Sequence, residues 1–425
     1  MATGHGRRLR NIIGGSAGNL VEWYDWYAYT SLSLYFAASF FPKGDRTAQL
    51  LSTAAIFAVG FLMRPIGAWW MGVYGDRHGR KAGLALSVAL MAGGSLLIAI
   101  APTYAQAGVL APTVLLIARM MQGLSVGGEY GTSATYLSEV ASRKGRGFWS
   151  SFQYVTLIGG QLLSLAVLLI LQAWLPEPEL NAWGWRIPFV IGSVLAVVVY
   201  LLRRKIDESA SFQAMSAERP LSSIARLWGG HKREFLLVAV ISAGGSLAFY
   251  SYTTYLQKFL VNTSGFSKQS ATEVMTFALI VFMGLQVVWG AISDRVGRKP
   301  LLLLFGAGGA LISVPIFSSL ATVQSPGTAL ALILIPLTLL AAYTSIGAVI
   351  KAELFPAHIR TLGVAFPYAL GNALFGGSAE AVALWFKDAG HESGFYWYLI
   401  AVLAIATVAF AMLPETRNTS FIEED

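Results

Sequence analysis

"GVYGDRHGRK" at positions 72–81 returns as "GAISDRVGRK" at 290–299, and this recurrence organises the chain. Asp76 and Asp294 stand 218 positions apart (294 less 76), about half of the 425 residues. A second pair lies at nearly the same offset. "YLSEVASRKGRG" (136–147) is echoed loosely by "VIKAELFPAHIR" (349–360), so that Glu139 and Arg146 return 214 positions later as Glu353 and Arg360. Two signatures displaced by almost the same amount mark an internal duplication.

The segments between these loops are apolar. The composition is 55% hydrophobic and only 12% charged, with mean hydropathy +0.60, whereas a soluble domain carries about a quarter charged residues. Stretches of about twenty apolar residues, the length that crosses a bilayer core, recur twelve times. They cover 12–38, 49–74, 82–102, 109–138, 148–175, 184–204, 234–262, 269–292, 301–321, 327–352, 362–387 and 394–413. Lipid offers open backbone groups no partner, so each stretch is expected to be a helix. The expected fold is therefore an all-α integral membrane protein of twelve transmembrane helices in two pseudo-symmetric halves. Residues 1–204 form an N-terminal six-helix bundle, 205–232 a cytoplasmic central loop, and 233–425 a C-terminal six-helix bundle. The first apolar segment is too long for a cleavable signal peptide and lacks a small-residue cleavage site, so none is expected.

Lysine and arginine cluster in alternate loops. Arg7, Arg8 and Arg10 precede the first span, Arg77, Arg80 and Lys81 follow the second, and Arg143, Lys144 and Arg146 follow the fourth. Seven more lie between spans six and seven, and Arg295, Arg298 and Lys299 follow the eighth; the intervening loops hold only Lys43, Arg46, Arg186, Lys268 and Lys387. The positive-inside rule then places both termini in the cytoplasm. The net charge of +8 is a topology signal, because nucleic-acid binding needs a basic soluble domain and none is legible. The absence of cysteine excludes disulfides and thiolate metal sites, and no metal or cofactor is expected. The five histidines fall in or beside loops and no nucleophile–base constellation is present, so an enzyme is not expected.

The G-x3-D-R-x-G-R-K loops, twelve spans and long central loop resemble the major facilitator superfamily. "GNLVEWYDWY" (18–27), "GFLMRPIGAW" (60–69), "ARMMQGLSVGGEYGTSATYLSEVA" (118–141) and "WGWRIPF" (183–189) are similar to its metabolite:H+ symporter group. Within that group, "FQYVTLIGGQLL" (152–163), "YTTYLQKFLVNT" (252–263) and "LFGGSAEAVAL" (374–384) are most similar to bacterial α-ketoglutarate permeases. The resemblance covers nearly the whole chain. It implies a monomeric transporter in the bilayer of a bacterial inner membrane, with a substrate site between two halves that rock. The activity implied is proton-coupled import of α-ketoglutarate or a related small di- or tricarboxylate. Osmolyte (proline or betaine), shikimate and citrate symporters share the group motifs. The short, heptad-free C-terminal tail counts against an osmosensing member, and "LIGGQLL" in span five against a drug antiporter. Duplicated gating loops argue against a channel.

An acid at a cytoplasmic helix end pairs with an arginine or a helix N-terminus of the other half. The resemblance implies that Asp76, Arg80, Glu139 and Arg146, with their counterparts Asp294, Arg298, Glu353 and Arg360, form a network that stabilises one access state.

Seven charges within the spans are singled out: Glu22, Asp25, Glu129 and Glu380, with Arg64, Arg119 and Lys258. Each costs roughly 2.5–3.5 kcal/mol at a helix centre on insertion scales and is by default a functional candidate. Arg119 and Lys258, one per half, suit the two ends of a dicarboxylate. A structural pairing of Arg119 with Glu129 or Asp25 stands as the alternative, as does snorkelling of Lys258. Arg64, before Pro65 at an expected helix kink, has Asp25 or Glu22 as possible partners. Asp25 and Glu22, three residues apart, share a helix face and are expected to meet the central cavity. Both are proton-coupling candidates, Asp25 foremost, with Glu129 and Glu380. Glu129 has a structural pairing as its rival role, and Glu380 is in reach of Lys258. Tyr27, Gln161, Tyr250 and Asn372 are expected to line the substrate path.

Overall fold

The computed structural model describes residues 2–78, 80–127, 145–203, 224–356, 359–420 and 422, with the backbone alone for 2–19, 72–73, 75–78, 80–84, 202–203, 224–226 and 418–419. Twelve long helical rods are present among them. In the first half these are α1 (Ala2–Phe40), α2 (Arg46–His78), α3 (Arg80–Ile100), α4 (Leu110–Val126), α5 (Arg146–Trp174) and α6 (Ile187–Arg203). The second half contains α7 (Lys232–Asn262), α8 (Lys268–Val296), α9 (Lys299–Thr322), α10 (Pro326–Glu353), α11 (360–388) and α12 (Ser393–Met412). Eight of the described helices are, by length and composition, long and apolar enough to cross a membrane, and α3 and α4 are shorter apolar helices. Large apolar side chains such as Phe277, Leu311, Trp397 and Ile405 point outward, which suits a lipid surroundings and not water.

The duplication read from the loops is a duplication of packing. Within the first half α1 packs on α5 and α6, α4 on α2 and α3, and α3 on α6. Six helices later α7 packs on α11 and α12, α10 on α8 and α9, and α9 on α12. The halves meet through α5 with α8 and α2 with α11, pairs that exchange under the same shift of six.

Small residues set the close crossings. A Cβ on Gly123 would run into the Gly60 carbonyl, and one on Gly127 into the Arg64 carbonyl. Helices α2 and α4 thus touch backbone to backbone, the device by which small residues join membrane helices. Gly67 lies against the Leu124 backbone in the same seam. The helix runs on as one element across Pro65.

Two helices are distorted where they face the centre. Five-residue π-helical turns interrupt α7 at Ser251–Tyr255 and α11 at Asn372–Gly376. Such turns concentrate at functional sites because they free backbone groups and re-aim side chains. Gly376 nests against Ser246 and Tyr250, bringing the second distortion beside the start of the first.

Candidate functional site

The first helix separates the two acids that share its sequence motif. Residues three apart on an α-helix differ by about 60° in direction, and the packing uses that angle. Asp25 is fully buried and points into the first half, where Ser95 of α3 and Gln122 of α4 donate to its Oδ2, the latter at 2.8 Å. Gly192 of α6 leaves room for its Oδ1, which any Cβ there would strike. Glu22 instead lines the space between the halves. The expectation that both carboxylates meet one cavity is thereby corrected.

Arg119 reaches Asp25 only through an intermediary. Its Nη1 donates to Gln122 Oε1 at 2.6 Å, and Gln122 Nε2 donates onward to Asp25. The guanidinium carbon lies 4.1 Å from the Trp26 ring, 4.4 Å from Tyr29 and 5.0 Å from Phe57. Arg64 of α2 lies against the same indole at 4.0 Å and against Phe61 at 4.1 Å. Cation–π contact of this kind, worth about 2 kcal/mol when desolvated, holds both cations without neutralising them. Nε and Nη2 of each arginine have no hydrogen-bond partner among the described residues. Two forks with unused donors are therefore stored side by side.

The space between the halves is small. A cavity of about 20 Å³ is bounded by Glu22, Trp23 and Arg64 of the first half and by Tyr368 and Asn372 of the second, room for about one water. Neither amide atom of Asn372 has a partner among the described residues. Tyr250 packs edge-on to Phe61 at 5.0 Å and near Tyr27 at 6.5 Å. Gln161 donates to the Thr253 carbonyl at 2.8 Å, tying α5 to the π turn of α7.

Contacts between the halves stand toward both ends of the bundle. Toward the end away from the repeated loops, Lys258 is wholly buried and does not snorkel. It pairs with Glu380 at 2.6 Å and donates to Thr30 of α1 at 3.1 Å, so α7, α11 and α1 meet at one ammonium. At the end carrying the repeated loops, Asp294 of α8 accepts the Gly147 and Phe148 amides of α5 at 2.8 and 2.9 Å. A carboxylate at a helix N-terminus satisfies orphan amides and complements the dipole. The motif glycine serves the same junction, since a Cβ on Gly290 would run into the Gly147 carbonyl. Arg298 stands 3.2 Å from Asp294 and 3.7 Å from Glu353, which is 3.7 Å from Arg146 of the first half. Arg360 donates to the Phe355 carbonyl within its own half. The side chains of Asp76 and Arg80, and all of Glu129 and Glu139, lie outside the described residues.

Several participants were not among the sequence candidates. Gln122 follows Arg119 by three positions in one span, a signal that helical spacing carries. Ser95 and Thr30 sit on other helices and carried none. Lys351, at the edge of span ten, is an eighth interior charge omitted from the sequence count. It is fully buried, with its ammonium 4.3 Å over the Tyr368 ring. Among the described residues no group of three or more His, Cys, Asp or Glu could hold a metal ion.

The sequence profile described as sugar (and other) transporter matches residues 12–222 and again 210–425. The chain belongs to that family. Among curated proteins, it is 52% identical over 407 residues to the alpha-ketoglutarate permease of Escherichia coli (strain K12), covering 96% of this chain and 94% of the relative. It is 32% identical over 411 residues to the citrate-proton symporter of Klebsiella pneumoniae, covering 95% and 91%. Among solved structures, the D-xylose-proton symporter superposes with a TM-score of 0.77 at 20% identity over 97% of this chain and 99% of that one. The twelve-helix major facilitator fold expected from the sequence is the fold found, and the chain is a multi-pass membrane transporter.

Proposed function

We propose that this transporter is a proton-coupled symporter that imports α-ketoglutarate or a closely related small di- or tricarboxylate by alternating access. The observation that carries the reading is the pair Arg64 and Arg119, buried with unused N–H donors against one indole and beside the seam between the halves. Guanidinium forks match carboxylates in bidentate geometry. The 52% identity to a protein named alpha-ketoglutarate permease, and the kinship with one named citrate-proton symporter, point the same way.

In this reading the halves part, the cavity enlarges, and the substrate's carboxylates take up the free donors, with Tyr27, Gln161, Tyr250 and Asn372 as polar neighbours. Lys258 contributes from the second half when released from Glu380. Movement of Arg119 toward the substrate draws on Gln122, which loosens the hold on Asp25 and lets that carboxyl exchange its proton. Glu22, at the cavity wall, relays it; Glu129 and Glu380 are further proton-carrying candidates. The chain Asp294–Arg298–Glu353–Arg146, with Arg360 and the first-repeat residues Asp76, Arg80 and Glu139, gates the side that carries the positive loops. The chain divides into bundles 1–204 and 233–425 joined by the loop 205–232, both termini cytoplasmic, in a bacterial inner membrane and as a monomer. Coupling to protons is physically apt, since about 2.3 kcal/mol per charge per 100 mV opposes entry of an anion into a negative interior.

The osmolyte alternative requires aromatic faces free to receive a quaternary ammonium. Here Arg64 already occupies the faces of Trp23 and Trp26. The test is uptake of labelled α-ketoglutarate into proteoliposomes under an imposed pH gradient, with citrate, shikimate and proline as competitors. Saturable uptake that unlabelled α-ketoglutarate suppresses is expected; no competition by it would overturn the substrate assignment.

A further inference from the structure

At the end of the bundle opposite the repeated loops lies a second recess of about 470 Å³, within the roughly 300–1,000 Å³ usual for small-molecule sites. Its wall comes from both halves: Tyr35 of α1, Arg46 and Gln49 of α2, and Asn181 from the first, and Lys268 of α8 from the second. Two cations thus face it, and each stands at the start of a helix, Arg46 opening α2 and Lys268 opening α8. First-turn amides add partial positive charge at both places, offset at α2 by Asp45, which accepts the Ala48 amide.

The Lys268 ammonium is already engaged by groups of the other half. It rests 4.3 Å over the Tyr35 ring, donates to Asn181 Oδ1 at 3.1 Å, and pairs with Glu177 at 2.8 Å. Lys268 is 13% exposed in its side chain and Glu177 61%. A largely exposed carboxylate of the protein therefore occupies a mostly buried cation at the rim of an open recess. The Lys268 contact holds the Glu177 carboxyl below the usual carboxylate range, so it remains anionic in a mildly acidic exterior.

We propose that this recess is an outer reception site for the dicarboxylate, where one substrate carboxylate displaces Glu177 from Lys268 while Arg46 attracts the other. The exchange conserves the ion pair to Lys268 and breaks a tie between the halves, so arrival of substrate loosens the outer seam. This rests on the carboxylate reading above.

The experiment measures KM and maximal rate for α-ketoglutarate uptake in proteoliposomes at low and high salt, for the wild type and for Lys268→Gln, Arg46→Gln, Glu177→Gln and Lys268→Arg. Lys268→Gln and Arg46→Gln are expected to raise KM several-fold, leave the maximal rate within about twofold, and flatten the salt dependence. Glu177→Gln, which removes the competing anion, is expected to lower KM, and Lys268→Arg to restore it. A purely structural tie predicts instead that Lys268→Gln and Glu177→Gln, which break the same pair, shift KM in the same direction; that result overturns the proposal. Unchanged KM in all variants beside an active wild type overturns it as well. A wild type that takes up no dicarboxylate defeats the substrate reading itself, and this inference with it.

Discussion

Two of the interior cation sites in this duplicated chain are built in different ways. In the first half, Arg64 and Arg119 are held against aromatic faces with donors to spare. In the second, Lys258 is neutralised outright by Glu380 at 2.6 Å. Both arrangements offset desolvation, but only the first leaves charge and hydrogen bonds available to a ligand. Duplication supplied a common scaffold on which these cations are held differently, with open donors at Arg64 and Arg119 and a closed ion pair at Lys258.

The largest expected effect comes from breaking the lock on one side only. Glu380→Gln leaves Lys258 buried without its anion and should cost about 3–5 kcal/mol of stability, read as a lower melting temperature in detergent. The double replacement Lys258→Met with Glu380→Leu should recover most of it; a single variant as stable as wild type would mean that the pair is not a lock. Next in size is Arg119→Gln. Losing the charge-assisted hold on one substrate carboxylate, about 3 kcal/mol, should reduce uptake roughly 100-fold, with normal melting. Wild-type affinity would remove Arg119 from the site and dissolve the contrast between halves.

A smaller effect, about tenfold on uptake, is expected for Asp294→Asn, which keeps one acceptor for the α5 amides but loses the charge that complements the helix terminus and Arg298. Abundance should be unchanged. Separate Asp25→Asn and Glu22→Gln variants sharpen the assignment within α1, because Gln122 links Asp25 to Arg119 whereas Glu22 lines the cavity between the halves. Loss of the pH dependence of uptake is expected for Asp25→Asn, with Glu22→Gln altering the rate alone. The smallest effect belongs to Glu177. A carboxyl lowered in the folded protein contributes stability above its ordinary range and loses it as pH falls through the lowered value. Because the group is largely exposed, Glu177→Gln should cost at most about 1 kcal/mol at neutral pH and nothing once acid has protonated the wild-type group, which melting curves at both pH values would show.

Much of this was legible in one dimension. The recurrence of Gly-x3-Asp-Arg placed the junction residues Gly290 and Asp294, and the interior charges were found because lipid makes them costly. Lys351 escaped because it sits at a span edge, where composition no longer separates buried from exposed. The role of Gln122 was within reach from its spacing to Arg119, whereas Ser95, 70 positions from Asp25, was not.

By itself the sequence determined the twelve helices, their duplication, and most of the charges that lie inside, because hydropathy and periodicity record a residue's depth and its face on its own helix. The tertiary structure alone decided which neighbour each face meets. That choice turned Asp25 into the first half and Glu22 toward the seam, joined Lys258 to Glu380, and left the forks of Arg64 and Arg119 open. It depends on how glycine-lined helices nest against one another, a relation between distant segments that no local pattern encodes.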